Sequence, residues 1–220
     1  MAGLLITMEG VEGSGKSTQI QRLAARFGRC GIAAEVTKEP GGTPLCREIR
    51  ALLLEPHGSG ETWAPLAELL LFYADRAQHL ARCVEPALAA GKVVLLDRFD
   101  DSTRAYQGAQ GIPDEPLERL RSLVLAGREP DLTVILDLDP ELSLRRVAAR
   151  NGADAGFRET RFDQEALAFH QEVRRRFQRI AQAEPGRVAL VDARGGADQV
   201  EAAVWARVAP VLAAAGHRTA

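Results

Sequence analysis

Apolar residues along the chain fall into two alternating patterns. Short, nearly continuous runs of Val, Ile and Leu, such as KVVLLD at 92–97, are typical of strands buried on both faces of a sheet. Longer stretches with apolar residues three or four positions apart predict amphipathic helices. The strand-like runs lie at 4–9, 33–38, 92–97, 131–139 and 187–192, and the helix-like runs at 16–29, 44–54, 63–90, 116–126, 141–150, 164–183 and 197–214.

Strands that alternate with helices predict a parallel sheet, because each parallel connection has to cross over the sheet. We therefore expect an α/β three-layer sandwich with a five-stranded parallel sheet, in one domain over residues 1–220. Thr43 is placed to cap the helix that begins at Pro44, and Pro86 is expected to interrupt the long helix. The segment NGADAG at 151–156 is expected to be a mobile loop.

Composition and charge narrow the class of function. The net charge of −2 gives no strong positive field for nucleic acid. The chain shows neither a basic leader followed by an apolar segment nor an apolar stretch of the roughly 20 residues that cross a bilayer. Its three cysteines lie far apart, without the spacing of a metal site. We expect a cytoplasmic protein with neither a nucleic-acid nor a membrane partner.

The segment GVEGSGKST carries the most specific chemistry, because it follows the first predicted strand and opens the first predicted helix. Its spacing is that of a P-loop, in which glycines free backbone N–H groups to bind phosphate oxygens and the helix dipole adds positive potential. This makes the fold a P-loop NTPase. We expect Lys16 to reach the β- and γ-phosphates and Ser17 to bind Mg²⁺. The expected ATP-binding residues are Gly10, Val11, Glu12, Gly13, Ser14, Gly15, Lys16, Ser17 and Thr18.

Asp97 and Arg98 follow the third predicted strand without a break. In open α/β sheets, ligands bind at the carboxyl ends of the strands. Asp97 is therefore expected near the metal or the acceptor, and Arg98 is expected to neutralise charge between donor and acceptor. A salt bridge at the strand end is the alternative interpretation.

Phe72 and Arg76 lie four residues apart and share one face of a predicted helix. A ring with a guanidinium one turn away can stack on a base and hydrogen-bond its edge. A core phenylalanine beside a solvated arginine is the alternative, since such spacing is common on amphipathic helices. Arginines around the glycine-bearing loop further predict a lid, at about 150–162, that closes over polyphosphate and excludes water.

The segments MEGVEGSGKST, TKEPGGTPLCREIR, LLFYADRAQHL, LLDRFDDSTRAYQG and RFDQEALAFHQEV, in this order, resemble the bacterial thymidylate kinases. The likeness runs from Leu5 to about Arg179. It implies a nucleoside monophosphate kinase that transfers the γ-phosphoryl group of ATP to dTMP with Mg²⁺, in the synthesis of dTTP. It also implies a homodimer.

The resemblance assigns a role to each residue that would bind the acceptor. Phe72 would stack on thymine and Arg76 would hydrogen-bond the edge of the base. Arg50 and Arg98 would hold the phosphate. The ring of Tyr106 would lie under C2′ of the sugar and exclude a hydroxyl there. The full set expected to bind dTMP is Arg50, Phe72, Arg76, Arg98, Thr103, Tyr106 and Gln107.

The resemblance also implies how the phosphoryl group is transferred. Glu12 matches the P-loop acid of a subtype whose charge-compensating arginine lies in the lid. Arg161 is the first choice for that arginine, with Arg150 and Arg158 as alternatives, because the lid sequence departs from the family pattern. Ser17 and Asp97 would hold the metal. The residues expected to be catalytic are Lys16, Arg98, Asp97, Arg161 and Glu12.

Two other functions stay open at this point. A P-loop kinase of another small acceptor, such as dCMP or shikimate, would share Lys16, Ser17 and a lid, but it would not need Phe72 and Arg76 together with AYQG. A nucleotide-dependent switch would need a residue that orients water and segments that sense the γ-phosphate. The sequence offers no obvious candidate for either part.

Overall fold

The structure, a computed structural model, describes residues 3–55, 60–153 and 166–219. Within these ranges there are the five strands that the apolar pattern predicts, and each is followed by one or more of nine α-helices. The strands are β1 (Leu4–Glu9), β2 (Ala34–Lys38), β3 (Val93–Asp97), β4 (Leu132–Asp137) and β5 (Val188–Asp192). The helices are α1 (Lys16–Arg29), α2 (Pro44–Leu54), α3 (Pro65–His79), α4 (Glu85–Ala89), α5 (Asp100–Ala109), α6 (Asp114–Leu125), α7 (Pro140–Ala153), α8 (Leu167–Ala183) and α9 (Ala197–Ala214).

All five strands pair in parallel, in the order β2–β3–β1–β4–β5. Successive residues of a strand point to opposite faces. Ile6 and Leu95 pack with α1, α8 and α9 on one face, whereas Leu5 and Leu96 pack with α3, α4 and α6 on the other. The central strands β1, β3 and β4 are therefore buried on both faces, which explains their continuous apolar sequence, whereas the edge strands β2 and β5 are only partly buried. The predicted five-stranded parallel sheet flanked by helices is confirmed.

Helix α5 is the main element that the apolar pattern does not reveal. Its sequence, DDSTRAYQGA, contains few apolar residues, yet all but two of its ten residues are buried. The buried polar groups are satisfied by neighbouring charged and polar side chains rather than by an apolar face, so no helical periodicity is visible. Because α5 follows β3 directly, it places its polar face at the carboxyl edge of the sheet.

Two predicted irregularities take a different form. The long helix 63–90 is interrupted by a π-helical turn at Leu80–Val84, and Pro86 lies in the first turn of α4, where its missing N–H is tolerated. The predicted loop at 151–156 is wrong over 151–153, because α7 continues to Ala153. Residues 154–156 lie outside the described part. No described helix combines the length and apolar character that a membrane span requires.

The turn after β2 is held by polar contacts. Thr43 caps α2 as predicted, because its hydroxyl accepts a hydrogen bond from the backbone N–H of Cys46 at 3.3 Å. Thr37 Oγ1 and Nε2 of the buried His79 lie 2.8 Å apart. A Cβ atom at Gly42 would lie 2.3 Å from that same ring nitrogen. Gly42 is therefore needed for β2, α2 and α3 to meet.

We expect Gly42→Ala to destabilise the fold by about 1–3 kcal/mol, because the new methyl group would displace the buried His79 ring. Gly28→Ala is the matched control: Gly28 lies in α1, and a Cβ there meets nothing within 4 Å. That change should add about 0.5–1 kcal/mol of stability by improving helix propensity. Urea unfolding followed by circular dichroism measures both, and equal effects would contradict this account of the turn.

Candidate active site

A cavity of about 480 Å³ lies at the carboxyl edge of the sheet, between the P-loop, the turn after β2, and helices α2, α3 and α5. It is lined by all seven residues expected to bind dTMP and by most of the P-loop. Gly10, Val11 and Ser14 of the P-loop are buried. The predicted residues that line the cavity are Glu12, Gly13, Gly15, Lys16, Ser17, Thr18, Arg50, Phe72, Arg76, Asp97, Arg98, Thr103, Tyr106 and Gln107.

The P-loop runs from β1 into α1 with its backbone wrapped around the side chain of Lys16. Lys16 Nζ donates hydrogen bonds to the carbonyl oxygens of Gly10 and Val11, at 2.9 and 3.0 Å. Gly13 has a φ of 72°, and a Cβ there would lie 2.7 Å from the carbonyl oxygen of Ser143. Burial and the neighbouring Arg98 lower the pKa of Lys16 to about 8. Phosphate oxygens near Nζ would favour the charged ammonium instead.

Arg98 connects the P-loop to α5. Its Nη2 donates to Glu12 Oε1 at 2.6 Å, and its Nη1 donates to Ser102 Oγ at 3.0 Å and to the carbonyl oxygen of Gly10 at 3.2 Å. The hydroxyl of Tyr106 donates to the other oxygen of Glu12 at 2.6 Å. Burial raises the pKa of Glu12, but Arg98 and Lys16 outweigh it and keep that pKa below its ordinary value. Glu12 is thus held ionised, with one oxygen bound to Arg98 and the other to Tyr106.

The sequence did not single out Glu9, although it anchors this arrangement. Glu9 is fully buried at the end of β1 and accepts from the backbone N–H of Phe99 at 2.7 Å and from Ser102 Oγ at 2.5 Å. It therefore satisfies N–H groups at the start of α5 from another strand. Burial and the nearby Asp101 raise the pKa of Glu9 to about 8. The sequence feature that could have identified Glu9 is a carboxylate at the end of an otherwise apolar strand.

Ser17 and Asp97, the two residues predicted to bind Mg²⁺, lie close together. Ser17 Oγ lies 3.4 Å from Asp97 Oδ2, at the rim of the cavity. Hydroxyl and carboxylate oxygens are the hard ligands that Mg²⁺ prefers. Within the described ranges, no cluster of three acidic, histidine or cysteine side chains offers a metal site by itself. A metal held here would take further ligands from phosphate oxygens and water, as Mg²⁺ does in kinases.

Arg76 is buried, with 2% of its surface exposed, so the alternative of a solvated arginine is wrong. Its Nε donates to Glu39 at 2.9 Å, its Nη1 to Asp100 at 3.2 Å, and its Nη2 to Thr103 Oγ1 at 3.0 Å. The second oxygen of Glu39 lies 2.9 Å from Nδ1 of His79. These contacts hold the guanidinium in one orientation on the cavity wall.

Phe72 is half-buried one turn before Arg76 and lines the same wall. Arg50 reaches the cavity from α2, and its Nη1 donates to the carbonyl oxygen of Pro40 at 2.9 Å. The cavity is thus lined by cationic groups as well as by an aromatic ring. The lining residues that sequence reasoning left unassigned are Lys38, Glu39, Pro40, Leu54, Asp75, Phe99, Ser102 and Arg146.

The three arginines predicted for the lid lie in or after α7. Arg158 and Arg161 lie outside the described residues, and Arg150 belongs to α7, the helix that leads into that segment. Helix α8, on the other side, is fastened to the end of β4 by Arg174, whose Nε donates to Asp137 at 2.7 Å. Helix α7 itself contacts the P-loop, because Ser143 Oγ donates to the carbonyl oxygen of Glu12.

Comparison with known proteins identifies what this architecture is similar to. The thymidylate kinase family model matches residues 8–204. A thymidylate kinase of Trichlorobacter lovleyi is 48% identical over 202 residues, covering 91% of this chain and 94% of that protein. A thymidylate kinase of Solidesulfovibrio magneticus is 48% identical over 212 residues, covering 95% of this chain and all of that protein. The crystal structure of thymidylate kinase from Ehrlichia chaffeensis superposes with a TM-score of 0.75 at 32% identity, over 93% of this chain and 97% of that one.

Nucleotide binding at pH 8.5 should take up a fraction of a proton, because part of Lys16 is neutral in the free protein and bound polyphosphate favours its charged form. Calorimetric titration of ADP in buffers of different ionisation enthalpy measures this uptake. Lys16→Arg should abolish it, since arginine stays protonated. Glu9→Gln should leave the proton uptake unchanged. If the uptake vanished in Glu9→Gln instead, the proton would be bound by Glu9 and the assignment to Lys16 would be wrong.

Proposed function

This chain belongs to the thymidylate kinase family, and we propose that it transfers the γ-phosphoryl group of ATP to dTMP, giving dTDP and ADP. The observation that carries this proposal is that one cavity is lined both by the P-loop and by Phe72 and Arg76 of α3. Arg98 lies between them. This arrangement brings a triphosphate and a nucleoside monophosphate together with their phosphates adjacent.

Transfer depends mainly on placing the two phosphates and neutralising their charge. Lys16 binds the β- and γ-phosphates, while Ser17 and Asp97 hold Mg²⁺. The metal, when bound, neutralises charge that develops on the phosphate oxygens. Arg98 faces both phosphates and is held in place by Glu12. Because this ion pair is already formed, Arg98 needs little reorganisation when charge develops.

The remaining roles concern the acceptor. Arg50 and Arg98 hold the dTMP phosphate at the cationic part of the cavity. Phe72 stacks on the base, and Arg76 donates to its edge from a fixed orientation. Tyr106, held by Glu12, lies under the sugar. Thr103 and Gln107 complete the base end of the cavity.

Acceptors such as dCMP or shikimate are not favoured, because the family match covers most of the chain and includes the base-binding wall. A switch protein is not favoured for the same reason. The chain acts as one domain over residues 1–220, with a lid at about 150–162. Arg161, or else Arg150 or Arg158, supplies charge from that lid.

We extend the proposal to a cytoplasmic homodimer. Four leucines of α2 and α3 are exposed on this chain although the two helices pack against each other. Leu45, Leu52, Leu66 and Leu70 expose between 46% and 57% of their surface. An apolar face of this kind is stabilised when a second copy covers it.

The cysteines Cys30, Cys46 and Cys83 are all free, as expected in a reducing compartment.

An assay of ADP release with ATP and a panel of acceptors tests the activity. We expect the highest turnover with dTMP, lower turnover with dUMP, and little with dCMP or shikimate. UMP should be a poor acceptor, because the Tyr106 ring leaves no room for a 2′-hydroxyl. Shikimate as the best acceptor would contradict the proposed function, and UMP turnover equal to that of dTMP would contradict the role of Tyr106.

Phe72→Leu should raise the KM for dTMP by about ten-fold, because base–aromatic stacking contributes roughly 1–3 kcal/mol. The KM for ATP should stay nearly unchanged, since Phe72 belongs to α3 and not to the P-loop. Arg76→Ala should cause a severe loss of activity. It also removes the arginine that pairs with the buried Glu39 and leaves Asp100 with Arg121 as its remaining arginine partner, so its melting temperature must be measured beside its activity. A rise in both KM values for Phe72→Leu would contradict this division of the cavity.

A further inference from the structure

Glu68 lies where α3 and α5 meet, behind the base end of the cavity. It is 1% exposed and sits one helical turn before Phe72. Its Oε1 accepts from Nε2 of Gln107 at 2.9 Å and from Nε2 of Gln110 at 3.1 Å. Gln107 lines the cavity, whereas neither Glu68 nor Gln110 does. Glu68 therefore contacts the wall of the cavity from outside.

A carboxylate can only accept hydrogen bonds, so Gln107 has to turn its NH2 group toward Glu68. The amide oxygen of Gln107 then faces away from Glu68. The reverse orientation would bring that oxygen against the carboxylate, with two acceptors in contact at a buried position, which is strongly unfavourable. Glu68 thus selects one of the two orientations that a glutamine amide can adopt.

This orientation sets the hydrogen-bonding character of the base end. Arg76 offers only donors, and an oriented Gln107 offers an acceptor. Thymine and uracil present a matching edge, with the O4 acceptor beside the N3–H donor. Cytosine presents the reverse, with an amino donor beside the N3 acceptor. A wall that pairs a fixed donor with a fixed acceptor therefore distinguishes the two classes of pyrimidine.

We propose that Glu68 is a positioning residue that makes the enzyme select a base carrying an N3–H group, by fixing the amide of Gln107. The inference rests on the proposed function, since it concerns the acceptor of that same reaction. It identifies a specificity determinant that does not itself contact the substrate.

Glu68→Gln tests the proposal, because the two side chains have nearly the same size and shape. The new amide presents both a donor and an acceptor, so Gln107 becomes free to present its NH2 group to the base. We expect the ratio of kcat/KM for dTMP to that for dCMP to fall by roughly ten-fold or more. The ratio for dTMP to dUMP should not change, because both bases carry N3–H. A general loss of structure or activity would affect all three acceptors alike, so it could not lower the dTMP-to-dCMP ratio while leaving the dTMP-to-dUMP ratio unchanged.

Gln110→Leu is the matched control. It removes the other donor to the same oxygen of Glu68 and leaves the Glu68–Gln107 hydrogen bond in place. Its dTMP-to-dCMP ratio should equal that of the wild type. In a Gln107→Ala background, adding Glu68→Gln should not lower the ratio further, because the two changes remove one interaction.

The outcomes separate this inference from the proposed function. A wild-type protein that fails to phosphorylate dTMP overturns both. A wild type that phosphorylates dTMP, with an unchanged dTMP-to-dCMP ratio in Glu68→Gln, overturns the inference alone. If Glu68→Gln melts below the assay temperature, Glu68→Met serves in its place, since it also removes the orienting carboxylate. An unchanged ratio there has the same meaning.

Discussion

The ion pair between Arg98 and Glu12 is the interaction on which the arrangement of the cavity depends. It joins the residue that follows β3 to the P-loop that follows β1, and these two strands lie side by side in the sheet. The same carboxylate accepts from the hydroxyl of Tyr106, so one acidic group holds two residues of the cavity lining. Removing it would leave Arg98 joined to the P-loop only through the carbonyl oxygen of Gly10.

Buried charges of both signs are the general means by which this protein builds its site. Arg76 is enclosed by Glu39 and Asp100, and Lys16 by backbone carbonyl oxygens. Such groups are costly to bury unless they are paired, so each is held in one position. A site made in this way is fixed before any substrate arrives, which lowers the reorganisation that binding and phosphoryl transfer require.

The parallel sheet and the P-loop could be predicted because each leaves a local trace: continuous apolar runs in the strands, and fixed glycine and lysine spacing in the loop. The resemblance to a known family supplied the acceptor residues, all of which line one cavity. Helix α5 was missed because its buried face is polar. Glu9, Glu39 and Glu68 were missed because their importance lies in contacts between elements distant in sequence.

The contact of Glu9 with the start of α5 has a consequence for how donor and acceptor are spaced. Glu9 belongs to the strand that carries the P-loop, and α5 carries side chains of the acceptor end. The separation of the two phosphate groups is therefore set by covalent and hydrogen-bonded connections at the rigid centre of the sheet. A lid that closes above the cavity would exclude solvent and bring in the charge of its arginine, but it would not have to set the distance over which the phosphoryl group travels.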